Sequence, residues 1–191
     1  MIAALYVESG GAYYGLEGVD PWDELRDARQ YPGPFPVVAH PPCARWSILG
    51  SCRGYRDGLD GGCFESALAA VRTYGGVLEH PARSLAWERF ALPRPGAYGW
   101  SAALGDPGWS CFVDQHHYGF PTRKPTWLYF VGDVPPPMLW GRSASKVSAQ
   151  RMAGGGSRQA LRSRTPPAFR DALLELARTA NHSAPSDLCF T

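Results

Sequence analysis

The chain has 191 residues, 45% of them apolar, and a formal net charge of +2. That length fits one domain and that apolar share suffices for a real core, while so small a charge excludes a nucleic-acid coat recognisable from net charge alone. Five cysteines in no dense framework read as reduced thiols, the start Met1-Ile2-Ala3-Ala4 lacks the basic, long apolar pattern of a signal peptide, and no apolar run approaches the roughly 20 residues needed to cross a bilayer, so a soluble, cytoplasmic protein is expected.

Ile2 to Val7 is short, apolar and partly β-branched, which predicts a buried strand running into the glycine-rich turn Glu8-Ser9-Gly10-Gly11. A second apolar run, Pro36 to Ala39, ends at a double proline. Asp60-Gly61-Gly62 then precede a helix with Phe64, Leu68 and Val71 on one face and Gly75-Gly76 as its stop. Val77-Leu78 reads as a strand ending at Glu79, and a short helix is expected from Ser84 to Phe90. Trp127 to Val131 is the clearest strand and Pro135-Pro136-Pro137 stops it. The last helix opens at Thr165-Pro166, read as a cap followed by proline at the first helical position, with Phe169, Leu173, Leu176 and Ala180 as its apolar face. This order predicts one α/β domain over residues 1–180 with functional groups at strand ends, and a loose tail over 181–191.

Between Lys146 and Arg170 the chain carries Lys146, Arg151, Arg158, Arg162, Arg164 and Arg170 with no acidic residue, and Gly154-Gly155-Gly156 loosens the middle. A basic loop at about 140–164 could be a solvated surface or could meet phosphates through Lys146, Arg151, Arg158, Arg162 and Arg164. Seven Trp and nine Tyr add stacking surfaces that suit bases as well as a core.

Three segments occur in an informative order: Val37-Val38-Ala39-His40-Pro41-Pro42-Cys43, then Gly76-Val77-Leu78-Glu79-His80-Pro81, then Val113-Asp114-Gln115-His116-His117-Tyr118-Gly119-Phe120-Pro121-Thr122-Arg123-Lys124 running into Trp127-Leu128-Tyr129-Phe130-Val131-Gly132. Together they resemble the catalytic core of the DNA cytosine-5 methyltransferases, in which one strand ends in Pro-Cys, a later one in Glu-Asn-Val, and a Tyr-Gly-Val-Pro-Gln segment leads through basic residues to a strand closing on Val-Gly. The resemblance spans about residues 1–132. It implies a Rossmann-like methyltransferase sheet with helices on both faces, in a minimal version, and DNA, as a flipped or single-stranded base, as the partner. It implies Cys43 as the nucleophile on carbon 6 of a pyrimidine, Glu79 at ring nitrogen 3, and Arg123 or Lys124 orienting the base. It also implies S-adenosylmethionine as cofactor, with Ser9, Gly10 and Gly11 as a shortened glycine loop, Asp20 on the ribose, and Tyr13, Tyr14 and Trp22 beside the adenine. The shortened loop and the missing helix after it predict a shallow pocket and weak cofactor binding.

Differences from the family pattern open two other readings. Glu-His-Pro replaces Glu-Asn-Val, Thr122 replaces Gln, and no target-recognition domain follows Val131, a compactness that resembles phage-encoded relatives. A cofactor-less nucleic-acid-binding or host-interfering protein on the same fold is one alternative; a modifier of free pyrimidine nucleotides is the other. No metal is expected. His40, Cys43, Cys52 and Cys63 lack the tight Cys-x-x-Cys pairing of zinc sites, Trp46 stands where a zinc deaminase pattern needs its second cysteine, and the adjacent His116 and His117 would point to opposite faces of a strand.

Overall fold

The computed structural model describes residues 1–46, 60–147 and 164–180. Among them, the strands are β1 (Ile2–Leu5), β2 (Val19–Trp22), β3 (Val37–Ala39), β4 (Gly76–Pro81), β5 (Trp100–Ala102), β6 (Trp109–Asp114) and β7 (Pro125–Val131). The helices are α1 (Cys63–Tyr74), α2 (Leu85–Arg89) and α3 (Pro167–Thr179), with single 3-10 turns at Ala28–Gln30, Ala44–Trp46 and Gln115–Tyr118. All seven strands join one sheet in the order β2-β1-β3-β4-β7-β6-β5. The first four run parallel, whereas β7 is antiparallel to β4, β6 to β7 and β5 to β6.

Strand periodicity divides the core. Ile2, Ala4, Val38, Val77, Leu128 and Phe130 face one side, where Phe169, Leu173, Leu176 and Ala177 of α3 cover them. Ala3, Leu5, Val37, Ala39, Leu78 and Tyr129 face the other, against Phe64, Leu68 and Val71 of α1. Helices therefore lie on both faces, as expected for an α/β fold. Each fully buried Leu or Phe contributes roughly 1.5–3 kcal/mol of apolar transfer. No helix among the described residues is long and apolar enough to cross a membrane.

Local chemistry explains the helix ends. Before α1, Asp60 accepts from the backbone amides of Gly62 at 3.0 Å and Phe64 at 2.9 Å, and Gly62 takes the left-handed conformation at the cap. Ser84 caps α2 by accepting from the Ala86 amide at 3.2 Å. The start of α3 differs from the expected Thr165 cap. Pro166 holds the cap position with no side-chain bond, and Pro167 is the first helical residue, because a second proline there forfeits only an amide that has no partner anyway.

Three strands lie outside the elements expected from sequence. β2 is a half-buried edge strand containing Pro21, and β5 has only three residues. β6 places Ser110 at 0% exposure, where its hydroxyl accepts from the Trp87 indole at 3.0 Å. A serine in a buried strand hides the apolar signature, yet here the bond satisfies it.

Gly76 opens β4 at a φ of +113°, directly against the Val37 backbone, so a Cβ there would be driven into it. Gly76→Ala is expected to abolish cooperative thermal unfolding followed by circular dichroism, because strain at positive φ adds to a clash between two central strands. A cooperative transition within a few degrees of wild type would contradict this close approach.

Candidate functional site

The chain runs from β1 to β2 on one side and then crosses to β3 on the other, so the carboxyl ends of β1 and β3 form a topological switch point, where open α/β sheets place their ligands. Ala39 pairs with Leu78, which sets His40 beside Glu79, and alternation turns both toward the face covered by α3. Their side chains meet: His40 Nδ1 lies 3.0 Å from Glu79 Oε2. On the far side of the ring, His40 Nε2 lies 2.7 Å from the Tyr13 hydroxyl, supplied by the loop after β1. Gln115, just past β6, donates from Nε2 to Glu79 Oε1 at 3.2 Å and to Thr126 Oγ1 of β7 at 2.9 Å. Tyr13, His40, Glu79, Gln115 and Thr126 thus form one hydrogen-bonded chain across the ends of five strands.

Burial works to raise Glu79, but the hydrogen bond from His40, the electrostatic pull of that ring and the Lys124 charge outweigh it and hold the carboxyl below 4.5. Tyr13 is pushed well above 10, first by burial and then by the Glu79 charge. Lys124 is lowered from 10.5 by burial, against the opposing pull of Glu79 and Cys43.

Cys43 is exposed and sits immediately before the 3-10 turn Ala44–Trp46, beyond the carboxyl end of β3. Of the two basic candidates, Lys124 faces this centre. Arg123 points elsewhere: its Nε lies 3.8 Å from Oδ2 of the fully buried Asp114. The same Asp114 accepts from the Lys124 amide at 2.9 Å, so it shapes the turn that presents Lys124.

The residues assigned to a cofactor are engaged with one another. Asp20 takes Arg26 Nη1 at 2.5 Å and the Trp22 indole at 2.8 Å; burial works against it, but these bonds keep its carboxyl below 3.8. Ser9 and Tyr14 both donate to Asp23, at 2.5 and 2.6 Å. Gly10 takes a φ of +69° and the Gly11 amide closes a turn on the Glu8 carbonyl at 2.8 Å. Tyr13, expected beside an adenine, is instead buried at 3% exposure.

Lys146 and Arg164 are exposed, whereas Arg151, Arg158, Arg162 and the triple glycine lie outside the described residues, as does the tail. The two ends of the basic segment are nevertheless anchored at one place. The Arg123 amide donates to the Val147 carbonyl at 2.9 Å, and Lys124 Nζ donates to the Arg164 carbonyl at 2.9 Å.

No family model matches the chain, and no curated protein matches it either. Among the described residues no group of three or more His, Cys, Asp or Glu is placed to hold a metal ion. His116 and His117 lie in the 3-10 turn Gln115–Tyr118 rather than in a strand, and bond the carbonyls of Phe120 and Gly141. A cavity of about 460 Å³, lined by Met1, Gly18, Pro36 and Arg178 among others, opens at the amino ends of the strands, away from Cys43.

Sequence reading gave His40 no catalytic partner and Gln115 no role. The signal for His40 was present: it and Glu79 each follow a short apolar run by the same step, so strand register alone could have paired them. Gln115 carries no such signal, because its approach depends on β6 and on the antiparallel pairing with β7.

His80, next to Glu79, turns to the opposite face. It packs edge-on against Phe64 with ring centroids 5.2 Å apart, and neither ring nitrogen has a hydrogen-bond partner. Burial pushes it down to about 4, with the Glu79 charge opposing more weakly. The unfolded chain therefore takes up a proton near 6.5 that the folded protein refuses, so stability is full above that pH and declines as pH falls toward 4, by about 3 kcal/mol in total. Urea unfolding across this range should show the decline, and His80→Phe should flatten it. An equally steep profile in that variant would refute the assignment.

Proposed function

We propose that the protein acts on a pyrimidine base of nucleic acid through a Cys43 adduct, on a Rossmann-like sheet of the kind found in the cytosine-5 methyltransferases. One observation carries this reading. Cys43 and Glu79 lie at the carboxyl ends of the adjacent parallel strands β3 and β4, beside the switch point, and Lys124 leads into β7, which starts at the same edge because it runs antiparallel to β4. A thiolate adding to carbon 6 needs such a cation beside it and a hydrogen-bonding partner for the far edge of the ring. Both ends of the basic segment, at Val147 and Arg164, bond to Arg123 and Lys124, and this supports a polymeric substrate because a segment so rich in cations in its sequence suits phosphates.

The experiment is exchange of the pyrimidine carbon-5 hydrogen with solvent deuterium, on single-stranded oligonucleotides. The Cys43 sulfur bonds to carbon 6, and the π pair between carbons 5 and 6 moves toward the group at position 4. Carbon 5 then takes a deuteron from the solvent. Loss of the original proton and expulsion of the thiolate restore the base with one deuterium. Exchange by the wild-type protein supports the reading, and its absence in protein of intact fold contradicts it.

A second reading concerns the transferred group. Asp20 is held by Arg26 and Trp22, and the Tyr13 ring is buried between the glycine turn and His40. As they stand, these residues do not fit a deep S-adenosylmethionine pocket, which favours chemistry that does not use this cofactor. Titration calorimetry with S-adenosylmethionine, with and without an oligonucleotide, separates the two; tight binding would restore methyl transfer.

A further inference from the structure

Resting on the reading above, the substrate class follows from how Glu79 is held. His40 Nδ1 and Gln115 Nε2 approach its two oxygens at 3.0 and 3.2 Å. The rest of the chain decides which atoms carry the protons. Gln115 Nε2 also meets Thr126 Oγ1 at 2.9 Å, and that hydroxyl donates to the Lys124 carbonyl at 3.1 Å. The Thr126 oxygen is therefore an acceptor, and turning the amide over would set an oxygen against both it and the carboxylate. At the other end, the Tyr13 hydroxyl lies 2.7 Å from His40 Nε2. A neutral ring with its proton on Nδ1 lets Tyr13 donate to Nε2 and His40 donate to Glu79, so every hydrogen has one acceptor. The opposite tautomer would face a lone pair toward a carboxylate. A shift of protons along the chain that left a tyrosinate is opposed by the same burial that pushes Tyr13 upward.

Both oxygens of Glu79 thus already accept a hydrogen from the protein, and what remains on the carboxylate is lone pairs. Such a group complements a donor. Cytosine brings a bare nitrogen 3, which faces lone pair to lone pair, whereas uracil and thymine bring an N–H. The position-4 substituent follows the same sense, because the Lys124 ammonium complements a carbonyl there and an amino group does not. We infer that the base this site accepts is of the uracil type, with a hydrogen on nitrogen 3 and a carbonyl at position 4, read by Glu79 and Lys124. His40 and Tyr13 are positioning residues that hold Glu79 as an acceptor. An enolate on oxygen 4, formed when Cys43 adds to carbon 6, then develops its charge beside Lys124.

The groups facing Glu79 are His40 from the end of β3, Gln115 after β6 and Lys124 before β7, while His80, next to it on β4, points to the opposite face; Arg170 and Asp171 of α3 stand behind Tyr13. Protonating Glu79 in acid would convert it to a donor, so exchange on cytosine should rise as pH falls while exchange on uracil should not.

The test compares two matched single-stranded oligonucleotides, one with a single deoxyuridine and one with a single deoxycytidine, in carbon-5 deuterium exchange at neutral pH. Deoxyuridine should exchange about tenfold faster or more, and Glu79→Gln, whose amide can donate or accept, should narrow the ratio. Faster exchange of deoxycytidine overturns the uracil assignment and leaves the Cys43 reading standing. No exchange on either, in protein with a native circular dichroism spectrum, overturns both. A measurement free of activity stands beside it: ¹⁵N NMR of the His40 ring should show the proton on Nδ1 in the wild type and a changed ring signal in Tyr13→Phe. A bare Nδ1 at neutral pH would overturn the positioning scheme and the substrate preference with it.

Discussion

Cys43→Ser is expected to lower carbon-5 exchange by at least about 10³-fold, because a hydroxyl is almost never ionised at neutral pH and is a far weaker nucleophile than a thiolate. Stability should stay within about 0.5 kcal/mol of wild type, since the residue is exposed and follows the last sheet position of β3 by four residues. Cys63→Ser is the matching control. That residue opens α1, on the opposite face of the sheet from Glu79, and its loss should leave the exchange rate unchanged. Deuterium incorporation read by mass spectrometry of the digested oligonucleotide measures both. A Cys43→Ser protein that exchanges at the wild-type rate would remove the covalent step from the account.

The largest stability effect outside the glycine positions is expected at Asp114. Its side chain is 0% exposed and its oxygens receive four hydrogen bonds: from the amides of His116 at 3.2 Å and Lys124 at 2.9 Å, and from the amide and hydroxyl of Ser143 at 3.3 and 3.0 Å. The Arg123 guanidinium approaches the same carboxylate, and its buried Nε has no hydrogen-bond partner. Removing the carboxylate leaves these donors and a shielded cation without an acceptor, which costs about 3–5 kcal/mol when one member of a buried charged network is deleted. Urea unfolding of Asp114→Ala should show that loss. Asp114→Asn should lose roughly half as much, because its amide keeps one accepting oxygen. Because the Lys124 amide is among the orphaned donors, either variant should also weaken catalysis. A loss under about 1 kcal/mol for Asp114→Ala would mean that the turn is held by other means.

The elements legible in the sequence were those whose apolar pattern is self-contained. β1, β3, β4 and β7 are short buried runs, and α1 and α3 show a helical stripe, so their existence followed from periodicity and from the flanking glycines and prolines. β2, β5 and β6 were not legible. Their residues become strand-like only when a neighbouring strand pairs with them, as when the Trp87 indole satisfies Ser110 inside β6.

The candidate site divides in the same way. Cys43, Glu79 and the Arg123-Lys124 pair could be named from local motifs, because a nucleophile or a carboxylate at a strand end is written in consecutive residues. Which of the two cations faces the centre could not, since that choice is made by Asp114, nine residues before Arg123 in the chain and buried beneath the turn. Nor could the state of Glu79. Burial raises its pKa, and the arrival of His40 from β3, with the Lys124 charge before β7, reverses that, while Gln115 from beyond β6 fixes the direction of its second oxygen. The sequence by itself determined an α/β chain with these chemical groups at its strand ends. Tertiary structure decided the rest, because the hydrogen-bond partners that set charge and direction come from 36 and 39 residues away, brought together by sheet pairing rather than by any spacing along the chain.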